Sequence, residues 1–226
     1  MDQETLKKTA AEAAVTYTRD GQTVGLGTGS TIRFVMATLA QRIREGLKIR
    51  AVATSLETAR LAKDAGIPLL PDDAEWEIDL TIDGADQVDP HLNLIKGGGG
   101  ALLKEKIVAA ASTRFVVVVD ESKRVPVLGG SFPLPLEVVP FGWRTIAKRV
   151  RRYGCSVAPR MKEGRLFVTE TGHHILDLTF PKIETPAVLE AELEKIPGVV
   201  CSGLFVDRAD IVVVATQQGI VTLTRP

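Results

Sequence analysis

Apolar residues in the first half of the chain occur in short unbroken runs that alternate with longer amphipathic segments. The runs predict strands at residues 23–26, 49–53, 78–82 and 115–119. The amphipathic segments predict helices at 4–19, 31–44 and 56–65, and from a run of four glycines to about 111. Because strands that are apolar throughout need cover on both faces, we predict an α/β fold with a mostly parallel sheet and helices on both sides.

The pattern weakens beyond Lys123, where prolines at 126, 133, 135 and 140 interrupt the apolar runs. Helices at 143–152 and 186–194, with short strands at 166–168 and 175–178, predict a small α+β domain there. Buried-type strands return at 211–215 and 221–223, so we expect the end of the chain to rejoin the first sheet. The predicted domains are therefore 1–130 together with 200–226, and 131–199.

Charge and composition exclude several classes of partner. The 226 residues contain 28 basic and 28 acidic side chains, so no basic field exists to hold nucleic acid or an anionic membrane surface. The N-terminal segment is polar and helical, and no apolar run approaches the ~20 residues that span a bilayer. We expect a cytoplasmic protein whose two cysteines, Cys155 and Cys201, are reduced.

The segment Gly25-Leu-Gly-Thr-Gly-Ser-Thr31 lies between a predicted strand and a predicted helix. Its glycines allow a tight turn, and the helix start offers unpaired N–H groups that suit a phosphate. Thr28, Ser30 and Thr31 add hydroxyl donors, so a phosphate site is favoured here. The competing interpretation is a plain helix cap with Ser30 or Thr31 at the N-cap position.

A nucleotide site fits this turn poorly. The glycine spacing differs from the dinucleotide fingerprint, no carboxylate ends the second strand, and no Walker Gly-Lys-Ser/Thr follows. Thr54 and Ser55 end the second strand instead, where a ligand contact and a helix cap are equally good interpretations. We therefore predict no nucleotide cofactor.

Asp83-Gly84-Ala85-Asp86 follows an apolar strand, at the edge where open α/β sheets bind ligands. Two carboxylates there could hold sugar hydroxyls or move protons, although Asp side chains also stabilise turns. The division of roles between Asp83 and Asp86 stays open. Asp89, before Pro90, is interpreted as a turn residue.

Lys96 precedes four glycines, Gly97 to Gly100. Such a run is conformationally costly, and it can present several N–H groups to an oxyanion beside a full positive charge. The run and the lysine are therefore candidates for an oxyanion site. A mobile loop is the alternative interpretation.

Glu105 lies in the helix after the glycines, and its neighbours three and four positions away are Ala101, Leu102, Val108 and Ala109. A carboxylate on such an apolar stripe should be partly desolvated, which suits a general base. A half-exposed surface glutamate is the competing interpretation.

Two further groups complete the set of candidates. Lys123, in Asp120-Glu121-Ser122-Lys123 at another strand end, could reach an anionic substrate, or this segment is a solvated turn. The histidines at 91, 173 and 174 lack the spacing of metal ligands, so we predict no metal site.

These segments, in this order and spacing, resemble the type A ribose-5-phosphate isomerase family. The matching segments are Gly-Leu-Gly-Thr-Gly-Ser-Thr (25–31), Asp-Gly-Ala-Asp (83–86), Asn-Leu-Ile-Lys-Gly-Gly-Gly-Gly-Ala-Leu (93–102), Glu-Lys-Ile-Val-Ala (105–109), Asp-Glu-Ser-Lys (120–123) and Val-Val-Pro-Phe-Gly-Trp (138–143). They cover most of the chain. Gln87 departs from the family, which often has Glu there, and 170–174 replaces a stretch that usually contains Asp and Asn.

The resemblance implies a Rossmann-like catalytic domain, a small lid or oligomerisation domain, and interconversion of ribose 5-phosphate and ribulose 5-phosphate without metal or nucleotide. It implies that Glu105 is the general base and that Asp83, Asp86 and Lys96 complete the catalytic set. Thr28 to Thr31, Asp83 to Asp86, Lys96 to Gly99 and Lys123 would then line the substrate site. It also implies a homodimer or homotetramer in the pentose phosphate pathway.

Two other functions remain open at this point. A non-catalytic sugar-phosphate sensor could share the fold, but this chain lacks a basic DNA-binding segment and retains the full set of acidic and basic residues. A deaminase or lactonase acting on six-carbon phosphates is the third possibility, and a panel of substrates would separate it.

Overall fold

The computed structural model describes residues 2–225. The helices of this part of the chain are α1 (Gln3–Val15), α2 (Ser30–Arg44), α3 (Leu56–Asp64), α4 (Leu102–Ala110), α5 (Trp143–Val150) and α6 (Pro186–Glu194). Its strands are β1 (Thr23–Leu26), β2 (Arg50–Ala53), β3 (Leu80–Asp83), β4 (Gln87–Val88), β5 (Leu94–Ile95), β6 (Phe115–Asp120), β7 (Leu134–Val138), β8 (Ser156–Pro159), β9 (Met161–Lys162), β10 (Arg165–Leu166), β11 (His174–Thr179), β12 (Val199–Ser202), β13 (Leu204–Phe205), β14 (Ile211–Thr216) and β15 (Gly219–Thr224).

The described chain divides into two compact units. Unit 1 comprises the residues up to Ala85, Lys104–Lys123, and those from Arg208 onward. Unit 2 comprises Asp86–Leu103 and Arg124–Asp207.

Unit 1 is built on a six-stranded sheet in the order β15-β14-β6-β3-β1-β2. All neighbouring pairs are parallel except the terminal hairpin of β14 and β15. The mostly parallel α/β sheet predicted from the apolar runs is thus confirmed. Chain order reverses between β1 and β3, and such a switch point is where sheets of this type bind ligands.

Helices cover both faces of this sheet. On one face, Ala10 and Ala14 of α1 and Leu39 of α2 are buried in the main core of the unit, which includes strand residues such as Leu26 and Ile82. On the other face, Val108 of α4 packs with Val52 and Ile78. The small side chains of α1 allow close approach to the sheet, and this helix contacts β6 and β14 extensively.

Helix α1 ends at Val15, four residues before the predicted end at 19. The hydroxyl of Thr16 donates to the carbonyl of Ala13, and the Thr16 N–H also bonds backward. These bonds satisfy carbonyls that continued helix would otherwise use, so the helix terminates at the threonine.

Unit 2 is an α+β arrangement, as predicted. Its main sheet has the order β12-β7-β11-β8 with every pair antiparallel. Ile146 of α5 and Leu193 of α6 pack against Leu136 and Leu176 of this sheet. A second sheet has the order β13-β5-β4, and β9 and β10 form a separate hairpin.

The predicted interruption by prolines is wrong at β7, which is a central strand of its sheet and contains Pro135. Proline removes one donor from the ladder. Its carbonyl nevertheless accepts the N–H of Gly203 at 2.7 Å, so pairing continues on that side.

The boundaries of the units differ from the predicted domain limits. Residues 86–103 fall in unit 2 because β5 pairs with β13, and because Ile95 and Leu204 belong to the core of that unit. The pairing of strands only two residues long leaves too little periodicity to be predicted. Within residues 2–225, no helix combines the length and the apolar character that a bilayer crossing requires.

Candidate active site

In unit 1, the loop after β1 and the end of β3 meet at the switch point of the sheet. Asp83 is 1% exposed, and its Oδ1 accepts hydrogen bonds from the N–H groups of Thr28 (3.2 Å) and Gly84 (2.7 Å). Gly27 is required here because a β-carbon would overlap the Asp83 carboxylate. The glycine turn after β1 and the Asp83 carboxylate are therefore in direct contact.

Helix α2 begins with Gly29 at the N-cap position and without any side-chain cap. The competing interpretation, in which Ser30 or Thr31 is the N-cap, is thus wrong. Gly29 has φ of 128°, a left-handed value that favours glycine. A helix start without a side-chain cap keeps its N–H groups available to an anion.

Lys7 of α1 adds a positive charge at this helix start. Its Nζ donates to Ser30 Oγ at 3.0 Å. Sequence reasoning missed Lys7, because it is separated from Ser30 by 23 positions. Helix α1 also carries other charged residues, and nothing in the local sequence distinguishes Lys7 from them.

The side chain of Thr28 is held inside a cluster of hydroxyl groups. Its Oγ1 lies 2.8 Å from Thr54 Oγ1 and donates to Ser55 Oγ at 2.9 Å. Thr58 Oγ1 closes the cluster and donates to the carbonyl of Gly27. Ser55 is the N-cap of α3 and accepts the N–H of Thr58, so it has the capping role considered for it.

Glu105 of α4 is only 5% exposed. Leu102, Val108 and Ala109, which share its helix face, are buried as well. The side chain therefore lies on an apolar stripe, as its spacing predicts, and water has little access to its carboxylate.

The end of β6 carries a structured turn. Asp120 is 3% exposed and its Oδ1 accepts from both the N–H and the hydroxyl of Ser122. The helical turn Glu121–Lys123 follows, and Lys123 is half-buried. The interpretation of a solvated turn fits Glu121 and Ser122, while the lysine is held partly in the fold.

In unit 2, Asp86 and the glycine run form one connected structure. Asp86 Oδ2 accepts the N–H of Gly98 at 2.8 Å, and a β-carbon on Gly98 would crowd this carboxylate. Lys96 is 2% exposed, and its Nζ lies 5.5 Å from the centre of the Phe205 ring. A cation in this position is attracted by the π-electrons of the ring.

The glycine run forms a hydrogen-bonded turn. Gly97 and Gly100 have positive φ values of 99° and 85°, and the Gly100 N–H donates to the Gly97 carbonyl. Two of the four N–H groups are thus already used: that of Gly98 by Asp86, and that of Gly100 by the Gly97 carbonyl. Those of Gly97 and Gly99 are the remaining donors for a ligand.

Arg160, which sequence reasoning missed, contacts the same run. Its Nη1 donates to the carbonyls of Gly97 (2.7 Å) and Gly98 (3.1 Å), and its other nitrogens bond Asp177 of β11. The sequence offers one signal that a cationic partner is needed nearby, which is the charged residue Asp177 inside the apolar run 175–178.

Other candidate residues have structural partners. Asp89 accepts the N–H groups of His91 and Asn93, as expected for a turn residue. Gln87 bonds the backbone of Gly129 in both directions. His173 and His174 have different partners, Glu137 and the carbonyl of Phe167. Within residues 2–225, no cluster of three His, Cys, Asp or Glu side chains could hold a metal ion.

Comparisons with known proteins agree over almost the whole chain. A family model described as ribose 5-phosphate isomerase A (phosphoriboisomerase A) matches residues 50–219. A protein of Gloeobacter violaceus named ribose-5-phosphate isomerase A is 52% identical over 225 residues, covering 99% of this chain and 98% of its own length.

Solved structures give the same result for the fold. Ribose 5-phosphate isomerase A from Methanocaldococcus jannaschii superposes with a TM-score of 0.94 at 40% identity, covering 99% of this chain and 100% of the other. A D-ribose-5-phosphate isomerase in complex with phospho-erythronic acid has a TM-score of 0.96 at 39% identity, with both chains fully covered. The chain described here belongs to the ribose 5-phosphate isomerase A family, a family of aldose–ketose isomerases.

Proposed function

We propose that this chain interconverts D-ribose 5-phosphate and D-ribulose 5-phosphate through an enediolate, with Glu105 as the general base. Membership of the family supports the overall reaction. The observation that carries the role of Glu105 is its burial: its side chain is 5% exposed on an apolar helix face, where an acidic group is costly to place. Poorly hydrated carboxylates are effective acceptors of carbon-bound protons.

In the proposed reaction, the Glu105 carboxylate removes the proton from C2 of the open-chain aldose. The electrons of the broken C–H bond form the C1–C2 double bond, and the carbonyl oxygen becomes an oxyanion. The proton of the C2 hydroxyl passes to the C1 oxygen, and the carboxyl group returns the abstracted proton to C1, which yields the ketose. One group that reaches both carbons serves both steps, and no redox cofactor is needed.

The oxyanion needs stabilisation while the enediolate exists. We assign this to Lys96 and to the N–H groups of Gly97 and Gly99. Lys96 is buried, so its charge acts through a medium that screens it less than water does. The turn is ordered in advance by the Gly98–Asp86 and Gly100–Gly97 hydrogen bonds, so little reorganisation accompanies the reaction.

Asp83 and Asp86 supply the carboxylates for opening the furanose ring and for holding sugar hydroxyls. Opening requires a proton to leave the C1 hydroxyl and one to reach the ring oxygen. Asp83 is anchored by two backbone donors, and Asp86 by one. Both side chains are therefore held in fixed orientations before a sugar arrives.

The phosphate is assigned to the start of α2. The Thr28 hydroxyl and N–H are already used within unit 1, so Gly29, Ser30 and Thr31 supply the donors there. The Lys7 ammonium group beside Ser30 adds charge. Lys123 remains a second candidate for a contact with the phosphate.

The wider setting of the reaction follows from the same proposal. The chain would act in the non-oxidative branch of the pentose phosphate pathway, in the cytoplasm, as a homodimer or homotetramer. Residues 131–199 would serve as a lid or in oligomerisation. Sedimentation of the purified protein tests the assembly directly.

The decisive experiment measures ribulose 5-phosphate formation from ribose 5-phosphate in the presence of a chelator, for wild type and Glu105→Gln. We expect the substitution to lower kcat by a factor of about 10² or more while substrate still binds. Glu12→Gln is the matched control, because Glu12 is an exposed glutamate on α1. Wild-type activity that survives Glu105→Gln would remove Glu105 from this role.

An inactive wild type would reject the proposed reaction itself. Binding of ribose 5-phosphate without turnover would then favour the sensor, and turnover of six-carbon phosphates would favour a deaminase or lactonase. A panel of five- and six-carbon sugar phosphates distinguishes these outcomes.

A further inference from the structure

We propose that Arg160 is a positioning residue for the reaction, which orients the peptide groups of the glycine turn so that the Gly99 N–H faces the substrate. The inference rests on the proposed function, since it concerns the oxyanion donors assigned there. All residues that carry it lie in unit 2.

The Arg160 guanidinium group is held from one side and holds the turn from the other. Its Nε and Nη2 bond the two oxygens of Asp177 at 3.0 and 2.5 Å. Its Nη1 donates to the carbonyls of Gly97 and Gly98 at 2.7 and 3.1 Å. With the side chain of Arg160 only 14% exposed and that of Asp177 22%, water competes weakly for these bonds.

The two carbonyls that Arg160 binds determine where two N–H groups point. A trans peptide is planar, and its N–H is directed opposite to its C=O. The Gly97 carbonyl shares a peptide with the Gly98 N–H, which donates to Asp86. The Gly98 carbonyl shares a peptide with the Gly99 N–H, which is one of the donors assigned to the ligand. Fixing both carbonyls therefore fixes Asp86 and the ligand-facing donor together.

The positive charge adds to this geometric effect. A cation on a peptide carbonyl polarises the whole group, so the N–H on the far side becomes a stronger donor. Arg160 would thus strengthen the Gly99 N–H without touching substrate. Lysine could supply the charge but not the planar fork that bonds Asp177 and the turn at once.

The hairpin that carries Arg160 also contacts the turn through an aromatic ring. Phe167 N–H donates to the Arg160 carbonyl at 2.9 Å, and a β-carbon on Gly100 would collide with the Phe167 ring. Glycines cost conformational entropy when ordered. The ring and the guanidinium group hold three of the four glycines in one conformation.

The test compares Arg160→Ala, Arg160→Lys and Asp177→Asn with wild type, with Arg165→Ala as the matched control. Arg165 is an exposed arginine on the same hairpin. For Arg160→Ala we expect kcat to fall by a factor of about 10², with a much smaller change in KM, because the donors move while the phosphate contacts remain. Arg160→Lys should recover only a small part of this loss, and Arg165→Ala should behave as wild type.

Two measurements separate positioning from a purely structural role. Millimolar guanidinium chloride should restore activity to Arg160→Ala, whereas sodium chloride at the same ionic strength should not. Arg160→Ala should bind phospho-erythronic acid more weakly than wild type but inorganic phosphate equally well, since only the former carries a carboxylate that resembles the enediolate oxygens.

Full kcat in Arg160→Ala would overturn the proposal, as would an equal loss of affinity for both ligands without guanidinium rescue. If the wild type lacks isomerase activity, the proposed function fails, and the two binding measurements alone then decide whether Arg160 orients the turn.

Discussion

Gly27 lies directly against the carboxylate of Asp83, so that a β-carbon on the glycine would overlap Oδ1. The N–H of the next residue, Thr28, donates to the same oxygen at 3.2 Å. The loop after β1 therefore holds the acidic residue at the end of β3, and the two strands adjoin the switch point of the sheet.

Gly27→Ala should reduce both stability and activity, because the new methyl group displaces Asp83. We expect a cost in the free energy of unfolding of about 1–3 kcal/mol, typical of overpacking. Denaturant unfolding of the double variant Gly27→Ala, Asp83→Gly checks the cause, because the Asp83 β-carbon would itself lie 2.6 Å from the new methyl group. The glycine substitution should cost clearly less stability in that background, and an unchanged cost would show that the Asp83 carboxylate is not the obstacle.

Lys7→Met should raise KM for ribose 5-phosphate several-fold and leave kcat nearly unchanged. The reason is that the Lys7 ammonium group lies 3.0 Å from Ser30 Oγ at the start of α2, far along the sugar from the reacting carbons in the proposed mode of binding. The difference from wild type should shrink in high salt. Lys8→Met, which removes a lysine paired with Glu12, is the control, and an equal rise in KM there would contradict this assignment.

Glu137→Leu should destabilise the protein by roughly 2–4 kcal/mol, measured from urea unfolding. Glu137 is 1% exposed, and its Oε1 lies within hydrogen-bond distance of Thr169 Oγ1, Thr171 Oγ1 and His173 Nδ1. Leucine would leave these polar groups without their acceptor. Glu137→Gln keeps an acceptor oxygen and should lose less stability. A Gln variant as unstable as the Leu variant would mean that the charge of Glu137, and not its hydrogen bonding, stabilises this position.

Cys155 should react slowly with iodoacetamide near neutral pH. Burial raises the pKa of the Cys155 thiol, which lowers the fraction of reactive thiolate at any pH below that pKa. The alkylation rate of the native protein should therefore rise with pH along a curve displaced to higher pH than that of an unfolded cysteine. Mass spectrometry locates the label, Cys155→Ser should abolish it, and native labelling of the buried Cys201 would contradict the structure.

Asp2→Ala should lower stability near neutral pH but not in acid. Asp2 caps α1, and its hydrogen bond from the Thr5 backbone N–H lowers the pKa of the carboxyl group. A lowered folded-state pKa means that the contribution is present above the unfolded pKa and is lost as pH falls through the folded one. The denaturant midpoints of wild type and Asp2→Ala should converge at low pH. The difference in midpoint between Asp2→Asn and Asp2→Ala should change little with pH, because asparagine caps the helix without titrating.

Several features of the candidate site follow from local sequence alone. The burial of Glu105 is predicted by its apolar neighbours one helical turn away. The position of Asp83 at a strand end is predicted by the apolar run before it. In each case the relevant partners are within a few positions, where helical and strand periodicity determine which side chains share a face.

Other features could not be predicted because their partners are far apart along the chain. Arg160 binds carbonyls about 60 residues away, and Lys7 bonds Ser30 across 23 positions. The hairpin of β4 and β5 was missed because strands of two residues show no periodicity. Such contacts depend on the order and register of strands, which no local pattern specifies.

By itself, the sequence determined the alternation of buried strands and helices, the glycine turns and the acidic strand ends, because hydrophobic spacing and backbone freedom are properties of short segments. Only the tertiary structure decided that Pro135 lies in a central strand, that Gly29 rather than Ser30 is the N-cap of α2, and that Arg160 and Asp177 hold the glycine turn. These outcomes depend on which distant groups become neighbours, since a buried donor or acceptor takes whatever partner the assembled fold brings within reach.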